Sequence, residues 1–217
     1  MGPTTTLTIT EIFHSIQGEG TQAGRPCVFI RLTGCPLRCV WCDTAYAFIG
    51  GQPLTIEAVC DQVAAYGCPL VEVTGGEPLS QPGAVALLDT LLARGYEVML
   101  ETSGAVDIAP VDTRVKRIMD LKCPDSGEES RNRWANLPLL TPHDEVKFVL
   151  ASRVDYVWAR DVVQREGLID RCPVLFSPVH GQLDYQQLAE WILADRVPVR
   201  FQTQLHKLIW GAEARGV

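Results

Sequence analysis

Short runs of apolar residues alternate along the chain with segments in which apolar residues recur at helical spacing. The run CVFIRL at 27–32 has the length and the apolar content of a buried strand. Thr55 is a suitable N-cap for one helix, which Gly67 would end, and Ser152 is a suitable N-cap for another. The pattern predicts strands at 27–32, 71–73, 96–100, 117–121, 146–150, 173–176 and 198–202, and helices at 55–66, 84–94, 152–165 and 183–194.

Strands that alternate with helices favour a parallel sheet with right-handed crossover connections. We therefore predict an α/β fold, an incomplete TIM-type barrel of about six parallel strands with few helices. No linker rich in Pro, Gly or Ser interrupts the sequence, so we expect residues 1–217 to form a single domain. Polar and glycine-rich segments follow the strands, which predicts a ligand site at the C-terminal edge of the sheet.

Composition narrows the class of protein. The 217 residues are 47% hydrophobic and 21% charged, as is ordinary for a globular enzyme. Nineteen basic and 26 acidic residues give a net charge of −7, which argues against a nucleic-acid surface. No apolar run approaches the roughly 20 residues that span a membrane, and the start MGPTTTLTIT does not resemble a signal peptide. We expect a protein of the reducing cytoplasm, with no disulfide framework.

The strongest chemical signal is a run of three cysteines, Cys35, Cys39 and Cys42, at a C-x3-C-x2-C spacing. A cubane iron–sulfur cluster has four irons, so three thiolates would leave one iron open to a small molecule. A zinc site completed by a distant histidine is the alternative. A chance group of buried thiols is a weaker one, because Pro36 and Arg38 lie among the cysteines. The other five cysteines show no second spacing of this kind.

Three further features leave functional and structural interpretations open. The Gly-Gly-Glu-Pro sequence at 75–78 follows a predicted strand, where it could bring the backbone close to a ligand or form a plain turn into a helix. Arg31 lies between apolar neighbours and needs an anionic partner, either a ligand carboxylate or an acid such as Glu19. Thr44, two residues after Cys42, is best explained from the sequence alone as a turn or capping hydroxyl.

Taken together, the cysteine run, the Gly-Gly-Glu-Pro segment and the alternation of strands and helices resemble the radical S-adenosylmethionine (SAM) superfamily. Within it, the sequence is most similar to the family of 7-carboxy-7-deazaguanine synthases, over nearly its full length. The closer similarity rests above all on the opening Gln-Gly-Glu-Gly at 17–20 together with Cys-Asp-Thr at 42–44. Supporting motifs are EIFHSI at 11–16, GRP at 24–26, FIR at 29–31, TGGEP at 74–78, ETSG at 101–104, DLKCP at 120–124 and QLHK at 204–207.

This resemblance implies three cofactors, a [4Fe–4S] cluster, SAM and Mg²⁺. It implies that Cys35, Cys39 and Cys42 bind the cluster and that Thr44 binds Mg²⁺; it assigns no residue as catalytic. The SAM contacts that it implies are Trp41, Cys42, Asp43, Gly76, Asp120, Leu121, Lys122, Ser177, Pro178, Val179 and His180. The substrate contacts that it implies are Ile16, Gln17, Gly18, Arg31 and Thr74.

The implied activity is that of a radical SAM lyase. It would convert 6-carboxy-5,6,7,8-tetrahydropterin to 7-carboxy-7-deazaguanine with release of ammonia, in 7-deazapurine and queuosine biosynthesis. An electron donor such as flavodoxin and a homodimeric state are implied as well. Some members place a C-terminal carboxylate in the substrate pocket, and the continuation of this chain from Trp210 to Val217 argues against that role here.

Two rival interpretations share the cysteine run. A radical SAM activase of a glycyl-radical enzyme would use the same loop on a protein substrate, and the Gln-Gly-Glu-Gly and Cys-Asp-Thr segments speak against it. A zinc-binding structural module, from a different class of protein, would be colourless when purified without oxygen. An iron–sulfur protein would instead be brown and absorb near about 400 nm.

Overall fold

The computed structural model describes residues 5–217 and is built around one nine-stranded sheet. In spatial order the strands are β3-β1-β2-β4-β5-β6-β7-β8-β9. Strands β2 and β4–β9 pair in parallel, whereas β1 pairs antiparallel with both β2 and β3. The strands are β1 Thr6–Ile16, β2 Pro26–Leu32, β3 Gln52–Thr55, β4 Leu70–Gly75, β5 Glu97–Thr102, β6 Lys116–Asp120, β7 Glu145–Leu150, β8 Val174–Pro178 and β9 Arg200–Phe201.

Five α-helices accompany the sheet, and three of them begin at a side-chain cap. The Thr55 hydroxyl accepts a hydrogen bond from the Ala58 amide at 3.1 Å, and Ser152 and Asp184 cap two later helices in the same way. Such caps satisfy amides that lack a partner in the first helical turn. The helices are α1 Ile56–Ala65, α2 Ala84–Ala93, α3 Arg153–Arg165, α4 Tyr185–Asp195 and α5 Leu205–Trp210.

The predicted α/β architecture is confirmed, with an open sheet that corresponds to an incomplete barrel. All seven strands predicted from apolar runs are present and form the parallel part of the sheet, although the last is reduced to Arg200–Phe201. The prediction lacked β1, β3 and α5. β1 lies against β2 and continues the sheet beyond the barrel-like part, so that the parallel strands do not begin at an open edge.

Two groups of buried apolar side chains fill the space between the sheet and its helices. One lies among β1, β2, β4, β5, α1 and α2, and the other among β6–β8, α3 and α4. Cys27 and Cys60 are fully buried in the first group, as expected for thiols on apolar faces. At the N-terminal end of β6, the buried Arg117 guanidinium lies 2.5 Å from Asp144 Oδ2 and gives that buried charge its partner.

Within residues 5–217, no helix combines the length and the apolar character needed to cross a lipid bilayer. The expectation about a signal peptide concerns, in part, residues 1–4, which lie outside the described residues.

Candidate active site

A cavity of about 490 Å³ opens at the C-terminal edge of the parallel strands. The loops after β2, β4, β5, β6 and β8 reach it, together with the loop after β1 and the segment from α5 to the C-terminus. This is the edge at which the sequence predicted a ligand site, because the loops that follow parallel strands meet there.

The cysteine loop leaves β2 and forms one wall of the cavity. Cys35, Cys39 and Cys42 all line it and are partly exposed, whereas the other five cysteines are buried; all eight are free thiols in residues 5–217. Two backbone hydrogen bonds hold the loop in place. The Gly34 amide donates to the Ala47 carbonyl at 2.8 Å, and the Val40 amide, within the cysteine run, donates to the Ser126 carbonyl at 3.1 Å. The fold therefore selects the three clustered thiols as those available to a ligand.

Two observations show how this wall fits a cluster and an organic ligand. In the described part of the chain, no three Cys, His, Asp or Glu side chains are grouped to hold a single metal ion; in a cubane each thiolate binds its own iron, so the thiols need not meet at one point. Asp120, at the end of β6, also lines the cavity, and its Oδ1 is buried with no hydrogen-bond partner among residues 5–217. A buried acceptor of this kind needs a donor, which a bound ligand would supply.

The Gly-Gly-Glu-Pro segment locks the cysteine loop to its neighbours. A Cβ on Gly76 would lie 2.2 Å from the Gly34 carbonyl oxygen, so only glycine fits against that loop. The next residue, Glu77, is fully buried, and its carboxylate accepts hydrogen bonds from Thr102 Oγ1 and from the Ser103 amide, the latter at 2.7 Å. Gly76 thus seats the loop after β2, and Glu77 ties the loop after β4 to the loop after β5.

A buried lysine organises the acidic floor of the cavity. Lys147 on β7 forms an ion pair with Glu101, lies 2.8 Å from Glu19 Oε2 and 3.9 Å from Asp120 Oδ2. Burial alone would lower the pKa of Lys147, but these carboxylates raise it well above its ordinary range. Burial raises the pKa of Glu101, partly offset by Lys147. For Glu19, burial also acts to raise the pKa, but Lys147, Gln204 and His206 together lower it below its ordinary value. One cation therefore holds side chains from three different loops or strands.

Glu72 on β4 is a further buried carboxyl of the cavity, and its hydrogen-bond partner is neutral. It is buried and receives a hydrogen bond from the Gln17 side-chain amide, whose oxygen accepts from the Glu19 amide at 3.1 Å. Burial raises the pKa of Glu72 well above its ordinary value, and the nearby charges of Glu101 and Glu19 raise it further. One N–H and one oxygen lone pair of the Gln17 amide are therefore engaged within the protein.

Arg31 faces the cavity from β2 and has a protein partner. Its Nε lies 2.7 Å from Oε1 of Glu11, the residue directly opposite on β1. The ion pair considered as an alternative thus exists, but its acid is Glu11; Glu19 pairs with Lys147 instead. Sequence spacing could not distinguish the two acids, since only the strand register places Glu11 across from Arg31.

The opening loop and the C-terminal segment close the mouth of the cavity together. A Cβ on Gly18 would lie 2.2 Å from His206 Nδ1, and the Leu205 amide donates to the Gly18 carbonyl at 2.9 Å. Lys207 Nζ lies 2.7 Å from Asp43 Oδ2 and so connects α5 to the cysteine loop. Beyond α5 the chain returns to the cavity, and Val217 is part of its lining. The continuation past Trp210 therefore does not carry the end of the chain away from the site.

Most of the predicted site residues meet in this one cavity. Leu121 and Ser177 are buried behind the wall, and Pro178 is not part of the lining either, so their predicted contact with SAM stays a prediction. The predicted residues that line the cavity are Ile16, Gln17, Gly18, Arg31, Cys35, Cys39, Trp41, Cys42, Asp43, Thr44, Thr74, Gly76, Asp120, Lys122, Val179 and His180.

Sequence reasoning missed the residues that orient this site. Glu72, Glu101 and Lys147 lie within strands that read as buried, where a charged residue between apolar neighbours signals a partner or a ligand. Glu77 was noted only as part of a glycine turn. The signal was present in each case, but the partner depended on strands that pair far apart in sequence.

Comparisons with known proteins agree with the geometry. The sequence profile of the radical SAM superfamily matches residues 29–171. A 7-carboxy-7-deazaguanine synthase from Chlorobaculum tepidum is 48% identical over 214 residues, 97% of each chain. One from Koribacter versatilis is 45% identical over 97% of this chain and 100% of its own.

The fold has a counterpart among solved structures. The crystal structure of QueE from Escherichia coli superimposes with a TM-score of 0.72 over 93% of this chain and 95% of its own, at 22% identity. Membership of the superfamily implies a [4Fe–4S] cluster and SAM, for which the three-cysteine wall is suited. The profile match and the full-length relatives together show that the chain belongs to the radical SAM superfamily and, within it, to the family of 7-carboxy-7-deazaguanine synthases.

Proposed function

We propose that this protein catalyses the conversion of 6-carboxy-5,6,7,8-tetrahydropterin to 7-carboxy-7-deazaguanine with release of ammonia, as a lyase of 7-deazapurine and queuosine biosynthesis. The observation that carries the proposal is that one cavity holds the three cluster cysteines beside Arg31, Thr74 and the acidic floor. A cationic group and several carboxyls suit a heterocycle that has a carboxylate at one end and amino and ring N–H donors at the other.

Cys35, Cys39 and Cys42 would hold the cluster, and the cavity leaves room beside them for SAM. When bound, the cluster and SAM supply an adenosyl radical that takes a hydrogen atom from the substrate. The chain contributes the surfaces that would orient the two ligands, among them Gly76 after β4 and Asp120 at the end of β6, both of which line the cavity. The orphaned Asp120 Oδ1 is the group we assign to a donor on SAM.

Substrate recognition in this proposal falls to the other wall. Arg31 would bind the substrate carboxylate, and Thr74 at the end of β4 and Gly18 in the opening loop would contact the ring. Gln17, which is hydrogen bonded to Glu72 and to the Glu19 amide, would shape the pocket with Glu72 and keep one N–H and one lone pair for the substrate. Lys147 would hold Glu19 and Glu101 in place beside the ring.

We further propose that Thr44 binds Mg²⁺ together with substrate oxygens. Its hydroxyl lies 3.7 Å from Cys42 Sγ and faces the cavity, next to the position that the cluster would occupy. Mg²⁺ prefers oxygen ligands and often takes few of them from the protein. A homodimer in the cytoplasm, one domain per chain and an electron donor such as flavodoxin complete the proposal by analogy with the family.

The Mg²⁺ role predicts the behaviour of Thr44→Ala. Turnover should fall about 10-fold or more and respond less to added Mg²⁺, because one oxygen ligand is lost, while cluster absorbance stays unchanged. Thr90→Ala is the matched control, since the Thr90 hydroxyl bonds only the Ala86 carbonyl on α2, at 2.7 Å. A Thr44→Ala enzyme with the Mg²⁺ titration of the wild type would remove Thr44 from the metal site.

The proposed activity is tested by anaerobic incubation of reconstituted protein with the pterin, SAM, Mg²⁺ and a reductant. Formation of 7-carboxy-7-deazaguanine and ammonia, followed by chromatography and mass spectrometry, is the expected result. Absorbance near about 400 nm and iron analysis establish beforehand that the cluster is intact. Failure to form the product with an intact cluster would refute the proposal.

A further inference from the structure

Arg31 is held by a chain of contacts that extends away from the cavity. The Glu11 oxygen that accepts from Arg31 Nε also accepts from the Tyr46 hydroxyl, again at 2.7 Å. The Arg31 guanidinium carbon lies 5.9 Å from the Phe13 ring centre and 6.0 Å from that of Tyr46. Glu11 therefore engages one edge of the guanidinium, and two aromatic rings lie beside it.

The C-terminal segment contacts the same group. The guanidinium carbon of Arg215 lies over the Tyr46 ring at 4.3 Å from its centre. One residue later, a Cβ at Gly216 would lie 3.9 Å from Glu11 Oε2. Val217 then lines the cavity. The last residues of the chain thus pack on Tyr46 and Glu11, the two residues that hold Arg31.

We propose that Glu11 and Tyr46 are positioning residues that set the orientation of Arg31, and that they thereby select a substrate carrying a carboxylate. The inference rests on the proposed function, in which Arg31 binds that carboxylate. Arg31 lines the cavity, and because Glu11 occupies Nε, the two terminal nitrogens are the pair that remains available to a ligand. Paired parallel hydrogen bonds from a guanidinium to a carboxylate depend on such an orientation.

Pre-organisation is the physical reason for this device. An arginine loses substantial rotamer freedom when a ligand fixes it, and that cost is smaller if the protein has already fixed the side chain. Glu11 can do so from β1 because cross-strand neighbours lie within side-chain reach. The Tyr46 hydroxyl in turn fixes the Glu11 carboxylate, so that the anchor of Arg31 is itself anchored.

Tyr46→Phe and Glu11→Asp test the proposal, since neither changes the charge of the site. Tyr46→Phe keeps the ring under Arg215 and beside Arg31 but removes the hydroxyl, and Glu11→Asp shortens the anchor. Equilibrium binding is measured by calorimetry on the reconstituted protein with SAM and without reductant, for the carboxylated pterin and for its 6-carboxamide analogue. We expect the affinity for the carboxylated pterin to fall about 3- to 10-fold in each variant, and that for the carboxamide to stay within twofold.

Tyr66→Phe is the matched control, because the Tyr66 hydroxyl donates to the Ile12 carbonyl on β1, outside the cavity, at 3.3 Å. It should change neither affinity. Steady-state kinetics add a second measurement, in which KM for the pterin rises in Tyr46→Phe while kcat changes little. A parallel loss of affinity for both ligands would indicate general disruption and overturn the proposal, as would unchanged affinity for both. If the wild type forms no deazaguanine, the proposed function fails instead, so the two failures are distinguishable.

Discussion

At the scale of single residues, burial in the cavity changes the pKa of carboxyl side chains according to their partners. Glu72 on β4 and Glu101 on the neighbouring strand β5 both line the cavity, yet their partners differ. Glu101 has Lys147, whereas Glu72 has the neutral amide of Gln17. Burial raises the pKa of both carboxyls, and the rise is larger at Glu72, which lacks the direct ion pair that Lys147 gives Glu101.

The raised pKa of Glu72 predicts a specific dependence of stability on pH. In the unfolded chain this carboxyl ionises at its ordinary pKa, near 4.5, whereas the folded protein keeps it protonated to higher pH. The folded state therefore binds the extra proton, and the stability that Glu72 contributes is lost as pH rises through its folded pKa. The groups that face it are Gln17, Glu19, Glu101 and Lys147.

Glu72→Gln removes this titration and keeps a hydrogen-bonding side chain of the same size. We expect the free energy of unfolding of the variant to gain on that of the wild type as pH increases above 5, in anaerobic denaturation of the reconstituted protein. Glu129→Gln, at a half-buried position away from the cavity, should leave the pH dependence of the unfolding free energy unchanged. Parallel curves for Glu72→Gln and wild type would show that Glu72 ionises normally in the folded state.

At the scale of elements, the parallel strands and their helices were predictable from the sequence, whereas the elements at the edge of the sheet and at the mouth of the cavity were not. Apolar runs located the parallel strands because a strand buried on both faces leaves a continuous apolar signature; the exposed two-residue β9 is the exception and is shorter than predicted. β1 has a burial pattern that alternates only over part of its length and then becomes half-buried, and its polar residues lie in a motif that we explained by function. The four-residue β3, which has no buried residue, and the unburied α5 carry too little apolar pattern to be recognised.

The site was predictable in composition and not in connectivity. The three cysteines and the glycine segment can be recognised from the sequence, because each motif spans only a few residues. The partners of Arg31, Lys147 and Glu77 come from strands 20 to 128 residues away along the chain, for example Glu11 for Arg31 and Glu19 for Lys147. Only the three-dimensional order of the strands determines which acid meets which base.

Substituting Lys147 tests whether these contacts between distant strands and loops stabilise the site. Lys147→Met would leave Glu19, Glu101 and Asp120 close together without the cation that lies between them. Removing one partner of a buried ion pair typically costs about 3–5 kcal/mol of unfolding free energy, and we expect a loss of that order together with a large fall in pterin affinity. Arg114→Met, which removes an exposed pair with Asp112, should change neither quantity much. A Lys147→Met protein of wild-type stability would mean that the floor is solvated.

At the scale of the whole molecule, the cavity joins two differently built parts. Its walls come from the well-packed strands and their loops, whereas its mouth is closed by α5, none of whose residues is buried. The contacts of α5 include the Leu205 amide on the Gly18 carbonyl, Lys207 on Asp43, and the preceding Gln204 side chain, which donates to Glu19 at 2.9 Å and to Asp43 at 3.2 Å. A helix with no buried residue that is held mainly by polar contacts opens at lower free energy than the core does.

Bound ligands should therefore protect α5 against hydrogen exchange. With SAM and pterin present, without reductant, opening of α5 requires that the ligands be released. At ligand concentrations 100 times Kd, exchange of its amides should slow by up to about 100-fold. α3 is the matched control, because it packs on the other side of the second apolar core and none of its residues lines the cavity. Mass-spectrometric exchange on the reconstituted protein measures both helices at once. If α5 exchanges equally fast with and without ligands while α3 is constant, the C-terminal helix does not close the site.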